Sequence, residues 1–223
     1  MLITSTVMRI PKSPLGLFAA SLMVLAGTTL AQSVPNTEVQ VTKLETAYVD
    51  SPKITAGGYN KKSTGRPSPW LEVEVTFDRA ALPKAPKYSD DLTFNYYILL
   101  KNEDATEDKK PTLLTGSVTH VHVPQEKALH SAMYVSPRVL AKLFDGKVPV
   151  NAAQAIVDAG VTISGKEGLL AIATAKGSVK GDKGWWDNPQ YTQTSGLLLN
   201  KSETPFAPLE WDYFEAIKPK AGN

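Results

Sequence analysis

An all-β sandwich is the fold this sequence predicts, and three observations predict it. In residues 70–78, Leu71, Val73, Val75 and Phe77 alternate with Glu72, Glu74, Thr76 and Asp78. A strand points successive side chains to opposite faces, so a period of two gives one apolar and one wet face. In residues 91–100, Leu92, Phe94, Tyr96, Ile98 and Leu100 share a face, and Tyr97 and Leu99 make the other face apolar too. The first run reads as a strand covered on one side, the second as a more central strand. Third, a single stretch, 136–144, carries a clear helical signal, where a parallel α/β fold needs many.

The remaining elements follow in order. Residues 38–49 form a first strand whose alternation slips, the mark of a bulge or a crossing between sheets. Residues 51–69 hold Gly57-Gly58, three Pro and several Lys, a long surface loop. Loops of that length are usually functional or disordered. The connection 79–90 contains Pro83 and Pro86 and is too long for a tight hairpin, so the two organising strands belong in different sheets. A charged tip at 102–111 precedes a strand at 112–123, with Gly116 as a bulge or bend. Residues 128–135 read as its partner.

Ser136 caps the helix, Pro137 fits its first position, and Val139, Leu140, Leu143 and Phe144 fall on one face. Asp145-Gly146 ends it. Strands follow at 154–164, with Gly160 inside, and at 168–174, joined by the turn Gly165-Lys166-Glu167-Gly168. Strands of this length with turn signals between them argue a sandwich or barrel. One short helix before the last two strands suits an immunoglobulin-like sandwich spanning 32–176. From 177 the texture changes. A linker-like run, 176–184, leads into Trp185-Trp186-Asp187-Asn188-Pro189 and a tail carrying Trp211, Tyr213 and Phe214. We read 177–223 as an irregular aromatic arm that docks on the sandwich or on a partner.

The chain opens with an export signal. Arg9 and Lys12 precede an apolar stretch at 15–30, and Thr29-Leu30-Ala31 offers small residues for cleavage before Gln32, which makes 1–31 a signal peptide. The apolar run is short for a membrane span and is interrupted by Gly27, Thr28 and Thr29. The expected location is the periplasm or the outer cell surface. Of 24 Lys and Arg, two lie in the leader, so the rest balance the 22 Asp and Glu. No basic cluster remains to neutralise a phosphate backbone, and nucleic acid is not an expected partner. The chain has no Cys, so thiol catalysis, thiolate metal sites and disulfides are excluded.

Phosphate loops, dinucleotide Gly patterns, zinc-protease helices and nucleophile elbows are absent, and no enzyme or cofactor is expected. The three His lie close together. His120 and His122 are two apart on one strand, and His130 could face His122 if the strands fold back, a spacing that can ligate zinc or copper. The plainer reading is a polar strand face with Val121 and Val123 turned inward. Acidic pairs at Asp90-Asp91, Glu103-Asp104 and Glu107-Asp108 lack a calcium-loop pattern and read as solvated turns. The strongest positive signal is aromatic: Trp185, Trp186, Tyr191, Trp211, Tyr213 and Phe214. Such rings stack on sugars or anchor protein interfaces, and they also serve simply to pack a segment onto a domain.

The Cys-free β-rich middle, Gly184-Trp-Trp-Asp-Asn188 and the tail Leu199-Asn-Lys-Ser-Glu-Thr-Pro-Phe-Ala-Pro-Leu-Glu-Trp-Asp-Tyr213 resemble the small exported immunoglobulin-like proteins of gut mucin-degrading bacteria. Those are encoded beside type IV pilus-like genes. The resemblance implies an immunoglobulin-like fold, a place outside the inner membrane and a part in a pilus-associated surface assembly. It implies other exported proteins, or a second copy, as partners and carries no catalytic residues. The pilin methylation signature is absent, so a pilus subunit of that class is not implied. A carbohydrate-binding sandwich using exposed Trp residues is the alternative.

Overall fold

The computed structural model describes residues 38–52, 69–83, 85–101, 111–177, 179–180 and 182–219. The leader, the loop at 53–68 and the charged tip at 102–110 lie outside the described residues.

Among the described residues, nine strands and two short α-helices follow one another as β1 (Val39–Val49), β2 (Trp70–Arg79), β3 (Asp91–Leu100), β4 (Thr112–Val121), β5 (Leu129–Val135), α1 (Pro137–Leu143), α2 (Ala152–Ala155), β6 (Ile156–Gly165), β7 (Gly168–Thr174), β8 (Thr192–Ser195) and β9 (Leu198–Asn200). They form two sheets, ordered β1-β2-β5-β9 and β7-β6-β3-β4-β8. Setting 1-2-5 against 7-6-3-4 is the Greek-key partition of an immunoglobulin-like sandwich. The core is the pair of inner faces that the alternation defines. Leu71, Val73, Val75 and Phe77 of β2 meet Leu92, Phe94, Tyr96 and Ile98 of β3, all fully or almost fully buried. Phe77 and Phe94 touch across the gap with ring centroids 5.0 Å apart. Each such side chain contributes about 1.5–3 kcal/mol of burial.

The slip in β1 is a register shift between Val41 and Lys43 against β2. The helix begins where the sequence puts it: the Ser136 hydroxyl accepts from the Val139 amide, Pro137 opens the first turn, and Leu140 points into the core. It ends at Asp145 and Gly146, both left-handed at φ 48° and 79°. Glycine tolerates that backbone and Asp accepts it more readily than most residues.

Three expectations need correction. Residues 128–135 do not pair with 112–123. β5 pairs with β2 and β9, while β4 pairs with β3 and β8, in the opposite sheet. Gly116 is no bulge, since its register with Tyr96 is unbroken. It is a close approach: a Cβ there would lie 2.6 Å from Leu198 Cβ. The strand expected from 154 starts at Ile156, after the single turn of α2, which Asn151 caps through a bond from the Gln154 amide.

The arm is built into both sheets. β8 runs parallel to β4, and β9 runs antiparallel to β5. One short segment therefore extends the edge of each sheet, with Leu198 buried between them. Farther on, the Val121 amide donates to Ala216 O at 2.9 Å and the Lys218 amide to Thr119 O at 2.7 Å, so residues 216–218 lie along the end of β4. The linker-like run is also anchored. The buried Asp158 carboxylate accepts the amides of Lys176 at 2.9 Å and Gly177 at 2.6 Å.

Candidate functional site

The six aromatic candidates divide between the outer faces of the two sheets. Trp185, Trp186 and Tyr191 lie on the five-stranded sheet, where Trp186 packs with Leu113 and Ile172. The Trp186 indole stacks on Tyr97 at 4.3 Å and 3°. It is only 4% exposed. These rings pack the segment onto its own domain.

Of the other three, Tyr213 and Phe214 lie against the four-stranded sheet. There, Trp70, Ala132 and Tyr134 are covered by Phe206 and Phe214. Phe206 stacks on Tyr134 at 4.8 Å and meets Trp70 edge-on at 5.7 Å. Tyr213 stacks on His130 at 3.9 Å, and its hydroxyl donates to Glu74 Oε1 at 2.9 Å. Trp211 is different: it stands 78% exposed, and Tyr213 beside it 46%.

Under these rings runs a groove of about 490 Å³, lined among others by Glu72, Glu74, Tyr134, Phe206, Glu210 and Tyr213. β2 alternation puts Glu72 and Glu74 on the same outer face. The Tyr134 hydroxyl bonds Glu72. The Glu72 carboxyl is held above its ordinary range, first by desolvation, and further by the negative charges of Glu74 and Glu210. Among the described residues, His130 is the ion-pair partner of Glu74, at 2.8 Å, and no Lys or Arg forms an ion pair with Glu72, Glu74 or Glu210. Lys201 is close enough for the charges of Glu210 and Asp212 to act on it, while its ammonium donates to Leu209 O and sits 5.1 Å from the centre of the Phe214 ring.

The three His do not converge. His120 points inward from β4, His122 lies beyond that strand at φ 55° and is exposed, and His130 is on the opposite sheet. Among the described residues no group of three or more His, Asp or Glu is placed to hold a metal ion. The polar-face reading also changes, because His120 takes an inward position and Val121 does not.

What His120 does instead is polar and internal. Its Nδ1 lies 3.0 Å from Glu215 O, a carbonyl that only accepts, so Nδ1 carries the proton. Nε2 then accepts from Ser131 Oγ at 2.7 Å, and Ser131 accepts from the Tyr96 hydroxyl at 2.8 Å. Burial lowers the His120 pKa to about 4, keeping the ring neutral. A hydroxyl beside an imidazole resembles a nucleophile and its base. Ser131, however, has no exposed surface, and the chain of bonds ties β3 and β4 to β5 across the core. A second groove, of about 570 Å³, lies beside Gly116 and Gly196. Its carboxylate, Glu203, accepts from the Asn200 amide and closes a turn.

Sequence reading found Trp211 and Tyr213 but missed the carboxylates beneath them. Glu72 and Glu74 show as a pair on one strand face. Nothing local reveals that Tyr213, 139 residues from Glu74, returns to bond it.

These features define an immunoglobulin-like β-sandwich protein whose C-terminal segment covers both sheets and presents an aromatic, acidic groove. A protein-family model matches residues 30–221, and the chain belongs to that family. A crystal structure of a protein from Akkermansia muciniphila is similar: 26% identical, covering 86% of this chain and 95% of that one, at a TM-score of 0.66. No curated protein matches the chain. No helix among the described residues is long and apolar enough to cross a membrane.

Proposed function

We propose that this is an exported, non-enzymatic structural or interaction protein of a type IV pilus-associated surface assembly, and that it meets its partners through the face carrying Trp211 and Tyr213. One observation carries the reading. Trp185, Trp186, Tyr191, Phe206 and Phe214 are partly or fully buried, whereas Trp211 is 78% exposed and Tyr213 46%. Trp and Tyr at such positions are the usual anchors of protein interfaces. The resemblance of the tail to exported pilus-associated proteins and the match to the Akkermansia muciniphila structure support the setting. The glycan alternative has less support, because Trp185 and Trp186 pack on the opposite sheet and no row of exposed Trp forms among the described residues.

The test is fractionation of the native host. The protein is expected outside the inner membrane, cross-linked to pilus-associated proteins, and Trp211→Ala is expected to abolish the cross-links without changing export. A cytoplasmic location, or cross-links indifferent to Trp211, overturns the proposal.

A further inference from the structure

We propose that the groove over the four-stranded sheet takes a lysine or arginine side chain presented by a partner protein. This rests on the reading of that face as a docking surface and names the chemistry it selects. The groove has an aromatic wall, Phe206 and Tyr213, and a floor holding Glu72 and Glu74, with Glu210 on its rim. Aromatic faces carry negative potential, so a cation gains from the ring as well as from the carboxylates. Lys201 already uses this property from within, its ammonium lying 5.1 Å from the centre of the Phe214 ring.

Charge decides between occupants. Four acidic residues, Asp50, Glu72, Glu74 and Glu210, line one space; among the described residues His130 ion-pairs with Glu74, the Lys201 charge acts on Glu210, and no Lys or Arg forms an ion pair with Glu72 or Glu74. A neutral or anionic occupant would desolvate Glu72 and Glu74 further without supplying the positive charge they attract. A cation relieves the like-charge repulsion and gives Glu72 a positively charged partner, which is the complementarity that sets specificity at interfaces. Desolvation raises the Glu72 pKa, and the charges of Glu74 and Glu210 raise it further. Trp211, exposed next to Glu210, gives the partner's backbone an apolar surface beside the cationic side chain.

The probe is a pentalysine peptide titrated into the full mature protein, with pentaglutamate as the opposite-charge control. Pentalysine is expected to bind, pentaglutamate not to. Glu72→Gln and Glu210→Gln are each expected to weaken pentalysine roughly fivefold, the scale of one exposed charge pair. Glu167→Gln, in the exposed β6–β7 turn, is expected to leave affinity unchanged. Equal weakening by Glu167→Gln reduces the effect to net charge and overturns the proposal. So does an absence of pentalysine binding, or concentration-dependent self-association abolished by Glu210→Gln, which assigns the groove to a second copy. Unfolding curves of the variants separate lost binding from lost fold. If pentalysine fails while the Trp211-dependent cross-links persist, the cation pocket falls and the docking face stands. If the cross-links fail while pentalysine binds, the reverse holds.

Discussion

Trp186 lies against the bare backbone of Gly160, so closely that a Cβ at residue 160 would sit 2.1 Å from the indole Cζ3. The glycine inside β6 is therefore a seat for a side chain 26 positions later. Gly160→Ala is expected to destabilise by about 1–3 kcal/mol, the usual penalty of overpacking, and Trp186→Ala by about 3–5 kcal/mol. Combining them tests the contact: once the ring is gone, the added methyl is expected to be nearly neutral in urea unfolding. Fully additive losses would refute the contact.

Deleting residues 178–223 is expected to leave an insoluble or unfolded chain. The deletion removes β8 and β9, reopens the edges of β4 and β5, and bares the apolar patches around Ile172 and Tyr134. Exposed edges and apolar faces promote aggregation. A monomeric truncation with a native-like circular dichroism spectrum would contradict this.

Arg79 is 2% exposed. Its guanidinium donates twice to Glu38 Oε1, at 3.1 and 3.0 Å, and to the carbonyls of Pro86, Lys87 and Val123. Arg79→Met is expected to destabilise by about 3–5 kcal/mol, because it removes the buried cation of the pair with Glu38 and one of the two donors at each of three carbonyls. Arg79→Lys is expected to recover little, since an ammonium lacks the planar fork. A loss under 1 kcal/mol for either variant counts against this account.

Acid response separates two groups at one contact. His120, lowered to about 4 by burial, contributes stability that is present above the ordinary His value of 6.5 and lost as pH falls through 4. Glu215, raised to about 6 by burial and then by Glu126, contributes stability that is full below 4.5 and lost as pH rises through 6. The two oppose each other on acidification. Glu215→Gln is therefore expected to steepen the fall in melting temperature between pH 6.5 and 4, and His120→Gln to flatten it. A Glu215→Gln profile no steeper than the parent's sinks the assignment.

The strands that cover each other were legible because alternation is a local signal. Leu71 to Phe77, Leu92 to Leu100 and the Ser136-Pro137 cap each declare themselves within a few residues. Pairing was not legible: β4 and β5 are neighbours in sequence, yet the chain crosses between sheets at Pro124, and a hairpin fits the same residues equally well. The tail was read as an arm because Thr192–Ser195 and Leu198–Asn200 are too short to show a period. Their strand character comes from the edges they join, Leu113 and Val135, far away in the chain. The aromatic half of the groove was visible from composition, and the acidic half was hidden in the wet face of β2.

That β8 and β9 come last has a temporal consequence. A nascent polypeptide leaving the ribosome holds both ladders incomplete until residues 192–200 have emerged. Until then the outer edges of β4 and β5 stand open, and the sandwich lacks the segment that joins both of its sheets.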